Sequence, residues 1–260
     1  FAPTGVGALD LVLAFAFVVG ATLAMDGLGN ADGLVTGTGA LGGLAVLAMA
    51  AFAEQHGLAN GAAGLLGACI AFLAFALPPA SLFPGRGGRL AVGYALGVYA
   101  LSVHTAAGPP AGIAVALALV AIPLLDAVLV AWDRAQRRRP VLVDRHDHLV
   151  HRIAAHGASV PEAVAILLGA QAILVVLAVG SARDVVPVWV LALGGGLLVA
   201  TLGGYAARAP LERMSRIGFR AAVWWVIGGA AILLALGIVP VVVDMPGVSR
   251  TMEKGRAAAQ

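Results

Sequence analysis

Residues 132–157 read WDRAQRRRPVLVDRHDHLVHRIAAHG. This is the longest polar interruption in the chain, and the fold is read outward from it. It carries four of the six histidines (His146, His148, His151 and His156) and six of the sixteen basic residues. The sequence on either side suits hydrocarbon. Of the 260 residues, 61% are hydrophobic and 11% are charged, and the mean hydropathy is +0.98. A soluble domain carries about 25% charge. Apolar runs approaching twenty residues recur, which is about what one bilayer crossing needs. A barrel would instead show short alternating strands, and a helix satisfies its own backbone in lipid. The chain is therefore predicted to be all-α, a polytopic transmembrane helical bundle.

About eight spans are expected, near Val6–Met25, Thr36–Ala53, Leu58–Leu77, Leu90–Thr105, Ala111–Ala131, Glu162–Ser181, Val185–Ala206 and Ala221–Val243. The 35 glycines are scattered through them, as at Gly42-Gly43 and Gly194–Gly196. Small residues let helices approach closely in lipid. The single cysteine, Cys69, sits mid-span, so a disulfide framework is excluded and a packing role is expected. The first residue is Phe1. This reads as a processed chain or one whose N-terminal part is absent, and the first span lacks the basic flank of a signal peptide.

Charge sorts the loops. Twelve of the sixteen basic residues fall on one side, in segments 86–89, 134–152 and 208–220. Positive loops face the cytoplasm, so the protein is expected in the cell membrane, with loops 26–35, 78–89 and 132–157 cytoplasmic and both chain ends external. The net charge of +3 is read as orientation signal, and nucleic acid is not an expected partner.

The three cytoplasmic loops can converge, and each has a chemical and a plainer reading. Asp26 and Asp32 among glycines and Asn30 suit a metal ion or a metal-held phosphate; the same residue types also make ordinary turns. Arg86 and Arg89 at the head of a helix suit a phosphate, or anchor a cytoplasmic loop. His148 and His151, spaced i and i+3, would share a helix face, with Asp144 and Asp147 nearby. Two histidines fall short of a zinc site, and with the arginines they suit a diphosphate or anionic headgroups. Asp10 and Asp126 are acidic residues at membrane depth, which are costly and functional by default. Asp126 follows Pro123, so its helix is expected to kink.

These blocks, taken in order, resemble the polyprenyl-phosphate sugar-1-phosphate transferases. That family includes enzymes of the phospho-N-acetylmuramoyl-pentapeptide translocase and N-acetylglucosamine-1-phosphate transferase type. Leu23–Gly37, LAMDGLGNADGLVTG, is similar to the family block N-A-x-N-x-x-D-N/G-x-D-G-L-A-x-G. Residues 76–89, ALPPASLFPGRGGR, resemble N-x-P-P-A-x-x-F-M-G-D-x-G-S. Pro123 and Asp126 match P-x-x-D, and Asp144–Ile153 with Gly157 resembles D-R-x-H-x-x-H-R-L followed by glycine. The likeness runs from about Leu9 to Gly180. It divides the chain into a transferase-like membrane domain (1–210) and a further span and tail (211–260).

The resemblance implies transfer of sugar-1-phosphate from a nucleotide-diphosphate sugar to a polyprenyl phosphate, with Mg2+ on the diphosphate. It implies catalytic roles for Asp32, His148 and His151, phosphate contacts from Arg86, Arg89, Asn30 and Arg152, and metal contacts from Asp26 and Asp32. The departures fall on that chemistry. Gly29 and Arg86 stand where the pattern has aspartates, Arg89 stands where it has serine, and the sequence contains no Asp-Asp pair. Two functional classes follow. One is an active membrane glycosyl-phosphate transferase. The other is a catalytically degenerate relative that binds polyprenyl phosphate, a second copy of itself or a partner membrane protein.

Overall fold

A computed structural model describes residues 6–103, 109–136 and 147–208. The expected eighth span and the 211–260 segment lie outside these residues. Nine helices, and no strand, are found among the described residues. They are α1 (Gly7–Gly27), closed by a 3-10 turn at Leu28–Asn30; α2 (Leu34–Phe52); α3 (His56–Ala76); α4 (Gly85–Ser102); α5 (Pro109–Leu119); α6 (Ala121–Gln136); α7 (Leu149–Ala155); α8 (Val160–Ala182); and α9 (Val188–Ala207). Residues Leu191–Gly195 of α9 are π-wound.

Five helices are long and apolar enough to cross a membrane, namely α1 with its 3-10 turn, α2, α3, α8 and α9. They fall where five of the spans were expected. α1 turns large apolar side chains outward, with Leu11 71% and Phe15 70% exposed. Such a face fits acyl chains rather than water. α4 falls on the fourth expected span, but with Arg86 and Arg89 in its first turns it is less apolar.

α2 is the central helix, and its glycines explain why. A β-carbon at Gly43 would lie 3.2 Å from the Leu66 backbone nitrogen of α3, and one at Gly42 would lie 2.5 Å from Leu96 Cδ2 of α4. α4 meets α1 in the same way, since a β-carbon at Gly93 would lie 2.8 Å from Thr22 Cα. Dispersion between closely spaced backbones replaces the hydrophobic effect that lipid does not supply. α8 starts at a capping box. Ser159 Oγ accepts from the Glu162 N–H, and Glu162 Oε2 accepts from the Ser159 N–H at 2.8 Å.

The fifth expected span, Ala111–Ala131, differs from a single helix. It is broken at Val120, and α5 and α6 meet at a 71° bend. Pro123 has no N–H, so the carbonyl four residues back, Leu119, loses its helical donor. Gln171 of α8, fully buried, repairs the break. Its Nε2 donates to the Ala118 carbonyl (3.0 Å) and the Leu119 carbonyl (3.1 Å), and its Oε1 accepts from the Ile122 N–H (3.3 Å). One amide thus supplies both donors and an acceptor to backbone that the bend has opened. Sequence reasoning expected the kink at Pro123 and did not identify Gln171.

Candidate functional site

The site is built at the C-terminal end of α1. Asp26 lies in the last turn of that helix and takes an arginine on each oxygen. Arg86 Nε donates to Oδ2 at 3.1 Å, and Arg89 Nε donates to Oδ1 at 2.9 Å. Loops 26–35 and 78–89 therefore do meet. Each arginine spends its Nε on Asp26, and the Arg86 side chain is 73% exposed, so its terminal guanidinium nitrogens remain open to solvent.

Gly29 shows how closely the two loops fit. A β-carbon there would lie 2.2 Å from Arg89 Cδ and 2.6 Å from its Cζ. The Arg89 side chain fills the space that any residue 29 side chain would need. Gly29 and Arg89, two of the departures noted in the sequence, are thus one substitution in space.

The second half of loop 26–35 turns at Gly33, whose φ of +75° is left-handed and favours glycine. Asp32 Oδ2 then accepts the Ala80 N–H at 3.2 Å, which ties α2 to the second loop. Gly29, Asp32, Thr36, Phe83 and Arg89 line a small cavity of about 20 Å3, room for a single water-sized group. Both side-chain amide atoms of Asn30 are buried without a partner among the described residues. A buried amide usually has partners, so Asn30 presents an unused donor and an unused acceptor.

The third loop joins at Gly27. Asp126, 1% exposed, reaches from α6 to the start of α7. Its Oδ2 contacts His148 Nδ1 at 2.8 Å, and its Oδ1 accepts the Leu149 N–H at 2.5 Å. The first N–H groups of a helix have no internal partner, so Asp126 caps α7 from another helix. A β-carbon on Gly27 would lie 3.4 Å from Asp126 Oδ2 and 3.6 Å from His148 Cε1. One residue along is Asp26 with its two arginines.

Two expectations change here. His148 and His151 do not share a helix face, because His148 is the extended residue before α7 and only His151 lies within the helix. Arg152, expected at a phosphate, is 4% exposed. It donates from Nε to the Asp147 carbonyl at 2.7 Å, and its NH2 lies 3.2 Å from Asp133. Arg134 pairs with Asp147 through Nε at 2.9 Å and NH2 at 2.7 Å. A buried charge needs such partners, so Arg134 locks α7 to α6 and Arg152 adds an ion pair, although its buried NH2 makes no hydrogen bond among the described residues. The same Arg134 fork is the main reason the Asp147 carboxyl titrates below its ordinary range. Asp144 and His146 lie outside the described residues.

Mg2+ takes six oxygen ligands and is held by carboxylates. Asp26 is the nearest such group, and it is already neutralised by two guanidinium groups that would repel the ion. Asp32 is turned toward the Ala80 backbone. No group of three or more His, Cys, Asp or Glu residues arranged to hold a metal is found among the described residues. Among the described residues the donors do not fit Mg2+, and the two arginines fit an anion.

This is a polytopic helical membrane protein with its polar loops gathered at the end of α1. Comparison with known proteins places it further. The model of the glycosyl transferase family 4 matches residues 3–104. A Streptomyces coelicolor protein named as a glycosyltransferase is 34% identical over 219 residues, covering 84% of this chain and 46% of that protein. A Bacillus subtilis protein named as an undecaprenyl-phosphate N-acetylglucosaminyl 1-phosphate transferase is 23% identical over 143 residues, covering 55% of this chain and 40% of that protein. No solved structure gives a significant match. The match and the names of the two relatives support placing this chain with the glycosyl transferase family 4. It spans less than half the length of either of these relatives.

Proposed function

We propose that this chain binds a polyprenyl phosphate through the phosphate group, with arginines doing what a cation does elsewhere in the family. The family acts with polyprenyl phosphate and sugar donors and is generally metal-dependent. The observation that carries the reading is the Asp26–Arg86–Arg89 cluster, in which Arg89 fills the space over Gly29. Arginine forks match phosphate geometry and bind it bidentately. Arg86 and Arg89 would hold the phosphate, Asn30 would meet one of its polar atoms, and the apolar flank of α1 would lie along the lipid chain.

The second reading is an active transferase. Asp32 and His148, retained from the family pattern, favour it, and Asp32, His148 and His151 would then carry the chemistry. One assay separates the two. Purified protein in nanodiscs is given polyprenyl phosphate and a panel of nucleotide-diphosphate sugars, and released nucleotide monophosphate is followed. Little or no magnesium-dependent release is expected. Turnover that needs magnesium and disappears in Asp32→Asn would establish the second reading instead.

Both readings place the site on the cytoplasmic face, because twelve of the sixteen basic residues lie on that side. Gln136 ends α6 and is exposed. In intact cells, Gln136→Cys is expected to resist an impermeant thiol reagent added outside and to react once the membrane is opened. The native Cys69 is buried and gives little background. Ready labelling from outside would reverse the topology.

A further inference from the structure

Asp126 and His148 form a pair that phosphate binding by the arginines does not require. The carboxylate is buried on α6, and such a group is costly unless paired. Both of its oxygens are used, one by His148 Nδ1 and one by the Leu149 N–H. A backbone N–H only donates, which fixes Oδ1 as an acceptor and fixes the carboxylate's direction. With Asp126 a carboxylate, Oδ2 faces Nδ1 as an acceptor too, and this puts a proton on Nδ1. The other ring nitrogen, Nε2, has no partner among the described residues, and the side chain is 11% exposed. The ring edge rests on Gly27, beside Asp26 and its arginines.

We infer that Asp126 is a positioning residue that holds His148 in the Nδ1–H form, so that Nε2 accepts a proton from a phosphomonoester seated on Arg86 and Arg89. The inference rests on the phosphate-binding reading above. Asp126 touches no phosphate. A phosphomonoester near neutral pH exists in part as a monoanion with one P–OH, and that hydroxyl is the donor Nε2 needs. If the proton moves fully, the phosphate becomes a dianion and the ring an imidazolium. The imidazolium then stands between the phosphate and the Asp126 carboxylate.

The test reads the ring directly. The full chain is labelled with 15N-histidine, placed in nanodiscs, and the His148 signals are assigned by their loss in His148→Gln. The wild-type protein is expected to carry the proton on Nδ1. Asp126→Asn keeps the shape but turns an amide N–H toward Nδ1, so the proton is expected to move to Nε2. A short-chain polyprenyl phosphate should then bind about tenfold more weakly, the size of one lost hydrogen bond to a charged group. A wild-type His148 protonated on Nε2 alone would overturn the inference without any variant. So would an unchanged proton position in a folded Asp126→Asn protein. Wild-type protein that shows the Nδ1 proton but binds no phosphate lipid would leave the positioning role standing and overturn the phosphate reading.

Discussion

Gln171→Leu is expected to be the most damaging single substitution in the membrane-spanning part of the chain. Leucine is similar in size and more apolar, so hydropathy alone would rank the change as harmless. The hydrogen bonds give the opposite sign. The change leaves the Ala118 and Leu119 carbonyls and the Ile122 N–H at the 71° bend without the side chain that serves them. Each buried group left unsatisfied costs about 1–3 kcal/mol, and no water is at hand to take over. Even at the low end, three such groups cost about 3 kcal/mol, against about 0.5–2 kcal/mol gained by removing one amide on octanol-like scales. The buried Cys69 thiol reports the loss, since it reacts only when the bundle opens. Heating in detergent with a thiol-reactive dye should give a clearly lower midpoint for Gln171→Leu than for the wild type. An unchanged midpoint would mean that the bend does not depend on this amide.

The second large effect is expected at the arginines. Arg86→Ala with Arg89→Ala removes two guanidinium groups and leaves Asp26 as an uncompensated carboxylate facing the proposed phosphate. Each charge-assisted hydrogen bond is worth about 1.5–3 kcal/mol. Losing two, and adding a like charge, should lower phosphate-lipid affinity at least about a hundredfold. Arg89→Ala alone should cost more than Arg86→Ala alone, because Arg89 is only 25% exposed against 73% for Arg86, and water screens the outer one more. Equal and small losses would show that the cluster serves only to join the two loops.

The sequence and the structure agree most where one physical rule governs. Hydropathy located α1, α2, α3, α8 and α9, because lipid enforces helices of about twenty apolar residues. Loop charge and motif order pointed to the meeting of segments 26–35 and 78–89, and Asp26 does meet Arg86 and Arg89. What the sequence did not disclose is partnership. Gln171 stands in an apolar run, and nothing near it in sequence marks it as the partner of Ala118, Leu119 and Ile122. Asp126 was legible as a costly acid after a proline, but not as the cap of α7. Arg152 was named as a phosphate contact by the resemblance, and its sequence neighbours did not show that it would be buried beside Asp133. The pairing of Gly29 with Arg89 was hidden for the same reason. Two changes far apart in the chain read as separate losses until the side chain of one fills the space over the other.

The central claim is that arginine, and not a divalent cation, holds the phosphate. The most direct measurement is the affinity of the purified chain for a polyprenyl phosphate in nanodiscs, taken with magnesium, with EDTA, and with Arg86→Ala/Arg89→Ala. The affinity is expected to be the same with magnesium and with EDTA, and to be lost in the double variant. Binding that requires magnesium and survives removal of both arginines would contradict it.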